Sequence, residues 1–286
     1  MMPTMNVICE VTSELIDLAL REDIGAGDVT SLYFVPEDRV SHASIHAKEA
    51  GVLAGTAVAL EVFRRVDPAL QLTKLRNDGD VVNVGDRVLE IHGASRSILT
   101  AERIALNFLQ RLCGIATQTR RFVAHVEGTK AKLLDTRKTT PGWRTLEKKA
   151  VAAGGGTNHR MGLYDRAMVK DNHLMAQNKL EAMQDAIHRL KHDLPAVEVE
   201  LEADTLQQVE DFLKMDGVDR ILLDNMSNDM MARAVEMRGA SGPLLEASGG
   251  VNLDTIAGIA QTGVDFISVG ALTHSAMSLD LSLEIH

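Results

Sequence analysis

The residues that could do chemistry are concentrated in segment 135–173, where positive charge accumulates in an otherwise acidic chain. The segment contains eight lysine and arginine residues against four acidic residues, whereas the whole chain carries a formal net charge of −10. A local excess of cations in an acidic protein favours a small anionic substrate over a polyanion such as nucleic acid. Two of these cations, Lys148 and Lys149, lie in a helix-like stretch, and we expect both in solvent.

Four other cations and a histidine of this segment follow turns or apolar runs, where they could reach a ligand. Arg137 and Lys138 come after a short apolar run and precede a Pro-Gly turn. Arginine presents a fork to a carboxylate or phosphate, and lysine presents a point charge. His159 and Arg160 follow three consecutive glycines, which let a backbone approach a ligand closely. Lys170 ends another apolar run and could bind an anion or form a Schiff base.

The second half of the chain offers candidates for phosphate and metal binding. Ser248-Gly249-Gly250 and Gly270 close two late apolar runs, and His274 follows four residues later. Loops after late strands of α/β barrels often hold phosphate. Glu202 and Asp224 are either structural counterions or ligands of Mg²⁺, which prefers oxygen donors. The sequence has no His/Cys spacing typical of zinc and no Walker or Rossmann fingerprint.

Short apolar runs recur after residue 130, and polar residues follow each run at once. Helical stretches such as 179–192 and 205–215 fill the intervals of 22 to 35 residues. This alternation predicts a parallel sheet, either in a barrel or in an open doubly wound fold. Run 197–202 alternates apolar and acidic residues, so its carboxylates share an inward face and need cations or a metal. The predicted strands are 132–134, 167–169, 197–201, 221–223, 244–247 and 266–269.

The first 113 residues predict a small α+β domain. A helix is expected from Thr100, which could cap it, to Gly114, which could end it. Its apolar residues form one stripe, whereas Arg103, Asn107 and Arg111 share another face. The other predicted elements are β-like runs at 43–47, 51–53, 81–84 and 88–91 and helices at 13–21 and 57–66.

The composition excludes several classes of protein. With 286 residues, 45% hydrophobic and 24% charged, the chain is neither disordered nor collagen-like. Two cysteines, Cys9 and Cys113, are too few for a disulfide framework, so we expect the reducing cytoplasm. We read no signal peptide and no membrane span. Aromatic residues are only 3% of the chain, which argues against platforms for stacking bases.

Taken together, these motifs resemble the quinolinate phosphoribosyltransferase family, whose members are also called nicotinate-nucleotide pyrophosphorylases (carboxylating). The resemblance covers nearly the whole chain, and the combination of motifs is far more specific than any one of them. The motifs are REDIGAGDVT at 21–30, LTAERIALN at 99–107, DTRKTTPG at 135–142, GGGTNHRMGLYD at 154–165, KDNH at 170–173, LDN at 223–225 and SGG at 248–250.

The resemblance implies an α/β fold in two parts. A small N-terminal α/β sandwich domain is expected over residues 1–113, and the tail 275–286 is expected to pack back on it. An incomplete α/β barrel of about seven strands is expected over residues 114–274. The resemblance also implies a head-to-tail homodimer in which the first domain of one subunit covers the barrel of the other, and relatives include hexamers as well.

The resemblance also implies roles for particular residues. Quinolinate binding falls to Arg103 from the partner subunit, Arg137, His159, Arg160 and Lys170. Phosphoribosyl pyrophosphate binding falls to Lys138, Ser248, Gly249, Gly250, Gly270 and His274. The implied ligands of Mg²⁺ are Glu202 and Asp224. The implied catalytic residues are Lys138, Lys170, Glu202 and Asp224, and Glu200 is the alternative to Glu202.

The implied reaction joins quinolinate to phosphoribosyl pyrophosphate with Mg²⁺ and yields nicotinate mononucleotide, CO₂ and pyrophosphate in NAD biosynthesis. One alternative is a paralogous phosphoribosyltransferase of molybdate-transport systems, and the intact Asn158-His159-Arg160 favours the quinolinate enzyme over it. A second is an aldolase that uses Lys170 as a Schiff base. A third is a carrier protein, because the turn at 84–88 is similar to carrier hairpins, although it lacks a lysine at the tip.

Overall fold

The computed structural model describes residues 8–170 and 179–286. Contacts among these residues group them into two units. The first unit comprises residues 8–120, 139–155 and 272–286, and the second comprises residues 121–138, 156–170 and 179–271. The predicted domain boundary after residue 113 falls inside a helix, Ser95–Val126.

Helices and strands alternate along the described residues, as the sequence predicts for an α/β protein. The helices are α1 (Glu10–Ile24), α2 (Val29–Phe34), α3 (Thr56–Val66), α4 (Ser95–Val126), α5 (Arg144–Ala153), α6 (Lys179–Asp193), α7 (Leu206–Leu213), α8 (Asn228–Arg238), α9 (Ile256–Gln261) and α10 (Ala271–His274). The strands are β1 (Val40–Ala47), β2 (Gly51–Val52), β3 (Gln71–Lys74), β4 (Val81–Val82), β5 (Arg87–Ala94), β6 (Lys132–Leu134), β7 (Arg166–Val169), β8 (Glu198–Ala203), β9 (Arg220–Asp224), β10 (Leu244–Ser248), β11 (Phe266–Ser268) and β12 (Leu281–Ile285).

The first unit is built on a four-stranded antiparallel sheet in the order β12-β1-β5-β3. Alternation along β1 turns Ala43, Ile45 and Ala47 into the core, so Ser44 and His46 share the opposite, outer face, on which Ser44 is itself buried. The predicted β-like runs are confirmed as β1, β2, β4 and β5. Strand β3 was not predicted because its residues are polar or only half-buried and form no apolar run.

The second unit is built on a parallel sheet in the order β6-β11-β10-β9-β8-β7. These six described strands are the six predicted strands, and the prediction of an α/β fold with a parallel second part is confirmed. Beside β6, Thr157 forms an isolated parallel bridge to Leu134. Hydrogen bonds from Thr157 N to Leu133 O and from Asp135 N to Thr157 O hold this bridge, so a single residue occupies the place of a further strand.

Strand β8 confirms the inward turn for two of the three acids of the alternating run, because Glu200 and Glu202 turn inward whereas Glu198 is exposed. Val199 and Leu201 are buried on one face of the strand. On the other face the side chain of Glu200 is fully buried, whereas that of Glu202 is 20% exposed. A carboxylate without access to water must be neutralised by its neighbours, so the second unit must place cations beside Glu200.

Helix α4 runs past both predicted ends, so the predicted cap and stop were wrong. Thr100 lies in the helix, and its Oγ1 donates to Asp28 Oδ2 at 3.1 Å instead of capping a helix terminus. Gly114 lies in the helix as well. The position requires glycine because the backbone at Met277 passes too close for any side chain. A Cβ at this position would lie 1.9 Å from the carbonyl oxygen of Met277.

Replacing Gly114 by alanine is therefore expected to lower the free energy of unfolding by about 1–3 kcal/mol, since the backbone at Met277 must shift. Urea unfolding followed by circular dichroism measures this change. Gly258→Ala on α9 is the matched control, because its Cβ would meet only the end of the Asn228 side chain. The control should change stability by less than about 1 kcal/mol. Equal effects of the two substitutions would contradict the packing argument.

Candidate active site

A cleft of about 500 Å³ lies in the second unit, at the edge where the parallel strands end. Because the carboxyl ends of parallel strands meet at one edge, residues that are far apart in sequence converge there. Ten of the predicted site residues line this cleft: Arg137, Lys138, His159, Arg160, Lys170, Glu202, Asp224, Ser248, Gly249 and Gly250.

Three predicted site residues are not among those that line the cleft. Arg103 lies on α4 in the first unit, with its side chain exposed. His274 also belongs to the first unit, is exposed, and has its Nδ1 2.6 Å from Ser275 Oγ. Gly270 follows β11 in the second unit, and the cleft lining includes Ser268 of that strand rather than Gly270. The motif residues 171–173 lie outside the described residues.

Positive side chains make one part of the cleft suited to anions. Arg137 is half-buried, and Lys138 and Lys170 are exposed at the cleft. Arg160 is held in place by a hydrogen bond from its Nη1 to the carbonyl oxygen of Arg166, at 3.1 Å. Burial and the nearby charge of Arg137 lower the pKa of Arg160. An anion between these two guanidinium groups would relieve their repulsion.

His159 is held beside these cations by contacts of its backbone and of both ring nitrogens. Its backbone N donates to Asp135 Oδ1 at 2.7 Å, and Asp135 is fully buried. Its Nδ1 accepts from the backbone N of Arg160 at 2.6 Å, so Nε2 carries the ring proton. Nε2 lies 3.2 Å from Glu200 Oε2 and 3.3 Å from Glu246 Oε1. The orientation of the imidazole is therefore fixed.

Two buried glutamates give this histidine its electrostatic environment. Burial opposes the charged ring, but the contacts with Glu200 and Glu246 raise the pKa of His159 above its usual range. Burial also opposes the charged form of Glu246, but His159 and Arg220 hold the pKa of this carboxyl down, to about 2. Arg220 Nη1 donates to Glu246 Oε2 at 2.6 Å, and its guanidinium lies 4.0 Å from the ring centre of Phe266. Arg166 Nη1 lies 3.6 Å from Glu200.

The carboxylates of Glu202 and Asp224 line the same cleft from neighbouring strands. Glu202 accepts a hydrogen bond from Lys170 Nζ, and Asp224 Oδ2 accepts one from Asn225 Nδ2 at 2.8 Å. Glu202, rather than the alternative Glu200, therefore borders the open space. Asn225 has a left-handed backbone, with φ of 53°, and approaches Gly249 so closely that a Cβ there would lie 2.1 Å from its Oδ1.

Sequence reasoning missed six residues that line this cleft, among them Glu246 and Asn225. Glu246 is a lone acid within the predicted strand 244–247, and a charge in an otherwise apolar buried strand is a signal that could have identified it. Asn225 stands directly after Asp224 at the end of a strand. Its role in shaping the SGG loop depends on a close approach between β9 and β10 that the sequence does not reveal.

The fold and the cleft define an α/β enzyme that binds a small anionic substrate beside a pair of carboxylates. Residues 28–113 match the family description "Quinolinate phosphoribosyl transferase, N-terminal domain", and residues 115–284 match "Quinolinate phosphoribosyl transferase, C-terminal domain". The chain belongs to the quinolinate phosphoribosyltransferase family.

Individual relatives agree with this assignment. The chain is 43% identical to the chloroplastic nicotinate-nucleotide pyrophosphorylase [carboxylating] of Oryza sativa subsp. japonica, over 95% of this chain and 76% of the relative. It is 41% identical to a probable nicotinate-nucleotide pyrophosphorylase [carboxylating] of Bacillus subtilis, over 95% of this chain and 92% of the relative. A solved nicotinate-nucleotide pyrophosphorylase from Francisella tularensis is 37% identical, covers 100% of both chains and superposes with a TM-score of 0.89.

The helices offer no means of crossing a membrane: none within residues 8–170 and 179–286 combines the necessary length with sufficient apolar character.

Replacing Glu246 by glutamine is expected to lower the pKa of His159, because one of the two carboxylates that favour the charged ring is lost. NMR titration of the His159 ring resonances measures this shift. Glu236→Gln is the control, since Glu236 is an exposed residue of α8 paired only with Arg233 among the described contacts. Should Glu246→Gln not fold, Glu200→Gln removes the other carboxylate. An unchanged His159 pKa in a folded variant would contradict this electrostatic account.

Proposed function

We propose that this protein transfers the phosphoribosyl group of phosphoribosyl pyrophosphate to the nitrogen of quinolinate and releases CO₂ and pyrophosphate. The product is nicotinate mononucleotide, a precursor in NAD biosynthesis. The observation that carries the proposal is one cleft in which anion-binding cations stand beside the carboxylates of Glu202 and Asp224. The family membership of the chain supports the same reaction.

The cation side of the cleft is suited to quinolinate, a pyridine with two adjacent carboxylates. Arg137 and Arg160 offer planar forks that match carboxylates, and Lys170 offers a point charge. A dianion placed here replaces the mutual repulsion of these groups with attraction. Arg137 and Arg160 therefore orient the ring so that its nitrogen faces the phosphoribosyl donor.

The phosphoribosyl donor fits the opposite side of the cleft. Lys138 is exposed there and can meet a phosphate, and Ser248, Gly249 and Gly250 follow β10. Gly249 and Gly250 have φ of 93° and 61°, a conformation that glycine adopts readily. Because glycine has no side chain, a ligand can approach the backbone N–H groups of this loop closely. Loops of this kind bind phosphate oxygens through the backbone.

The residues present fit Mg²⁺ at the carboxylate side. Glu202 and Asp224 supply the oxygen donors that Mg²⁺ prefers, and Mg²⁺ commonly takes one or two carboxylates together with substrate phosphates and water. When bound, Mg²⁺ would neutralise the pyrophosphate as it departs.

The chemistry follows from these positions. The pyridine nitrogen attacks C1 of the ribose, and the bond from C1 to the pyrophosphate oxygen breaks. Glu202 and Asp224 stabilise the positive charge that develops on the ribose. The ring nitrogen then carries a positive charge, so it accepts the electron pair when the bond between C2 and its carboxylate breaks. A proton completes C2, and Lys138 and Lys170 are the two lysines of the cleft that could deliver it.

A homodimer with shared sites is part of this proposal. Arg103 is exposed on α4 and is not among the residues that line the cleft. The first unit also exposes large apolar side chains in α2, where Tyr33 and Phe34 are each 83% exposed. Exposed aromatic residues of this size favour burial against a partner. In the proposed dimer, Arg103 of one copy binds quinolinate in the cleft of the other.

The reaction itself is tested by mixing the protein with quinolinate, phosphoribosyl pyrophosphate and Mg²⁺ and following nicotinate mononucleotide by absorbance. Product is expected from quinolinate, and neither nicotinate nor nicotinamide should replace it, because each has fewer than two carboxylates. Removal of Mg²⁺ with a chelator should reduce the rate at least about 100-fold. A folded protein that forms no product from quinolinate would contradict the proposal and favour another acceptor.

Shared sites are tested by complementation between inactive variants. A mixed dimer of Arg103→Ala and Lys170→Ala chains should recover about half of the activity of the unaltered dimer, since one of its two sites then contains both intact residues. Mixed dimers carrying two different tags are purified before assay. Lys138→Ala with Lys170→Ala is the control, because both lysines line the same cleft and every site lacks one of them. Equal activity of the two mixed dimers would contradict shared sites.

A further inference from the structure

The outer face of the sheet in the first unit carries histidines that the proposed reaction does not use. His42 on β1 lies opposite His92 on β5, and their rings stack with centroids 3.9 Å apart. His286, just beyond β12, continues this row, because its backbone N donates to His42 O at 2.8 Å. His46 lies further along the same face of β1. Side chains on neighbouring strands of one face are close enough to share a ligand.

Two of these histidines converge on a single point. Nε2 of His46 and Nε2 of His286 each lie 2.7 Å from the hydroxyl oxygen of Ser44. The two ring nitrogens are therefore no further apart than twice that distance. A serine hydroxyl has one proton, so it donates to one imidazole and accepts from the other. The imidazole that accepts directs an unprotonated nitrogen at this point.

A carboxylate completes the group. Glu284 lies directly opposite Ser44 in the pairing of β12 with β1, and its Oε2 is 3.9 Å from His46 Nε2. Its other oxygen, Oε1, is 3.7 Å from Lys48 Nζ. One carboxylate oxygen therefore faces the lysine, and the other faces the histidine pair.

We propose that His46, His286 and Glu284 bind one first-row transition-metal ion of the Zn²⁺ type. Two imidazoles and a carboxylate form a common three-residue zinc set, with a water or hydroxyl as the fourth ligand. Zinc lies about 2.0–2.1 Å from each imidazole nitrogen, which in a tetrahedral site places the two nitrogens about 3.4 Å apart, so the two rings must move closer together. His286 is exposed, so its ring can rotate toward His46, whose side chain is 16% exposed. Ser44 Oγ is hydrogen-bonded to both nitrogens and must withdraw to leave room for the ion, so a water supplies the fourth ligand.

The bound ion would join two strands of the sheet. His46 belongs to β1, whereas Glu284 belongs to β12 and His286 follows it directly. β12 is an edge strand that pairs with β1 alone in this sheet. An ion that links the two therefore stabilises β12 against local opening. The site is independent of the proposed reaction, and Mg²⁺ does not compete because it prefers oxygen ligands.

Titration calorimetry with Zn²⁺ in the presence of excess Mg²⁺ tests the proposal on the full chain. Binding of one zinc ion at this face is expected. His46→Gln and His286→Gln should each lower its affinity at least about 10-fold. The matched control is the double variant His188→Gln and His192→Gln, which removes two histidines spaced four residues apart on the surface of α6. Hydrogen exchange of the β12 amides should slow with zinc in the unaltered protein but not in His286→Gln.

Other outcomes would overturn the proposal. Zinc affinity that falls only in the α6 double variant would place the ion on that helix. Zinc affinity that falls only in His159→Gln would place it at the buried cluster of His159, Glu200 and Glu246, whose ligand atoms also lie close together. Unchanged affinity in both His46→Gln and His286→Gln, or unchanged exchange of β12, would exclude the site. Each His→Gln variant on the outer face should keep its activity toward quinolinate, which separates this test from that of the proposed function.

Discussion

Negative charge buried in the parallel sheet of the second unit has to be neutralised where it lies, because water does not reach it. The carboxylates of Glu200 and Glu246 are fully buried on neighbouring parts of this sheet. Arg220 binds one, Arg166 approaches the other, and His159 lies between both. Removing one partner of such a buried pair costs about 3–5 kcal/mol, so these side chains hold one another in a single arrangement.

This arrangement sets the geometry of the cleft. His159 is fixed by the two glutamates on one side and by the backbone N of Arg160 on the other, so the orientation of the ring is determined before any ligand arrives. Arg160 follows directly in the chain and is tied to Arg166, which also approaches Glu200. The anion-binding side is therefore preorganised by buried charge, and a ligand meets cations that need little rearrangement.

The two sides of the cleft depend on different physical features. Arg137 and Arg160 are positive and partly buried, so a small anion beside them would gain from reduced screening. On the other side Glu202 and Asp224 stand next to the glycine loop that follows β10. The close approach of Asn225 to Gly249 makes that loop possible, since no side chain fits between them. Lys170 and Glu202 are hydrogen-bonded to each other, so cations and carboxylates meet within this one cleft.

Much of the second unit could be predicted from the sequence, because apolar runs and the polar residues behind them report directly on strands and strand ends. The six described strands of the second unit coincide with those runs, and ten predicted site residues line one cleft. The same reasoning failed where long-range packing decides. Gly114 was interpreted as a helix end, although it is the point where α4 admits the backbone of Met277.

The sequence by itself determined the alternation of strands and helices, the excess of cations between residues 135 and 173 and the inward turn of Glu200 and Glu202 in β8. These are properties of residue type and spacing, which act over short stretches of chain. Only the tertiary structure decided that Lys148 is buried, at 2% exposure, that Glu202 rather than Glu200 borders the cleft, and that Glu246 binds His159. Each of these facts depends on which residue, distant in the sequence, lies next to the side chain in the folded protein. That neighbour is fixed by the packing of strands against one another, and no local pattern in the sequence encodes it.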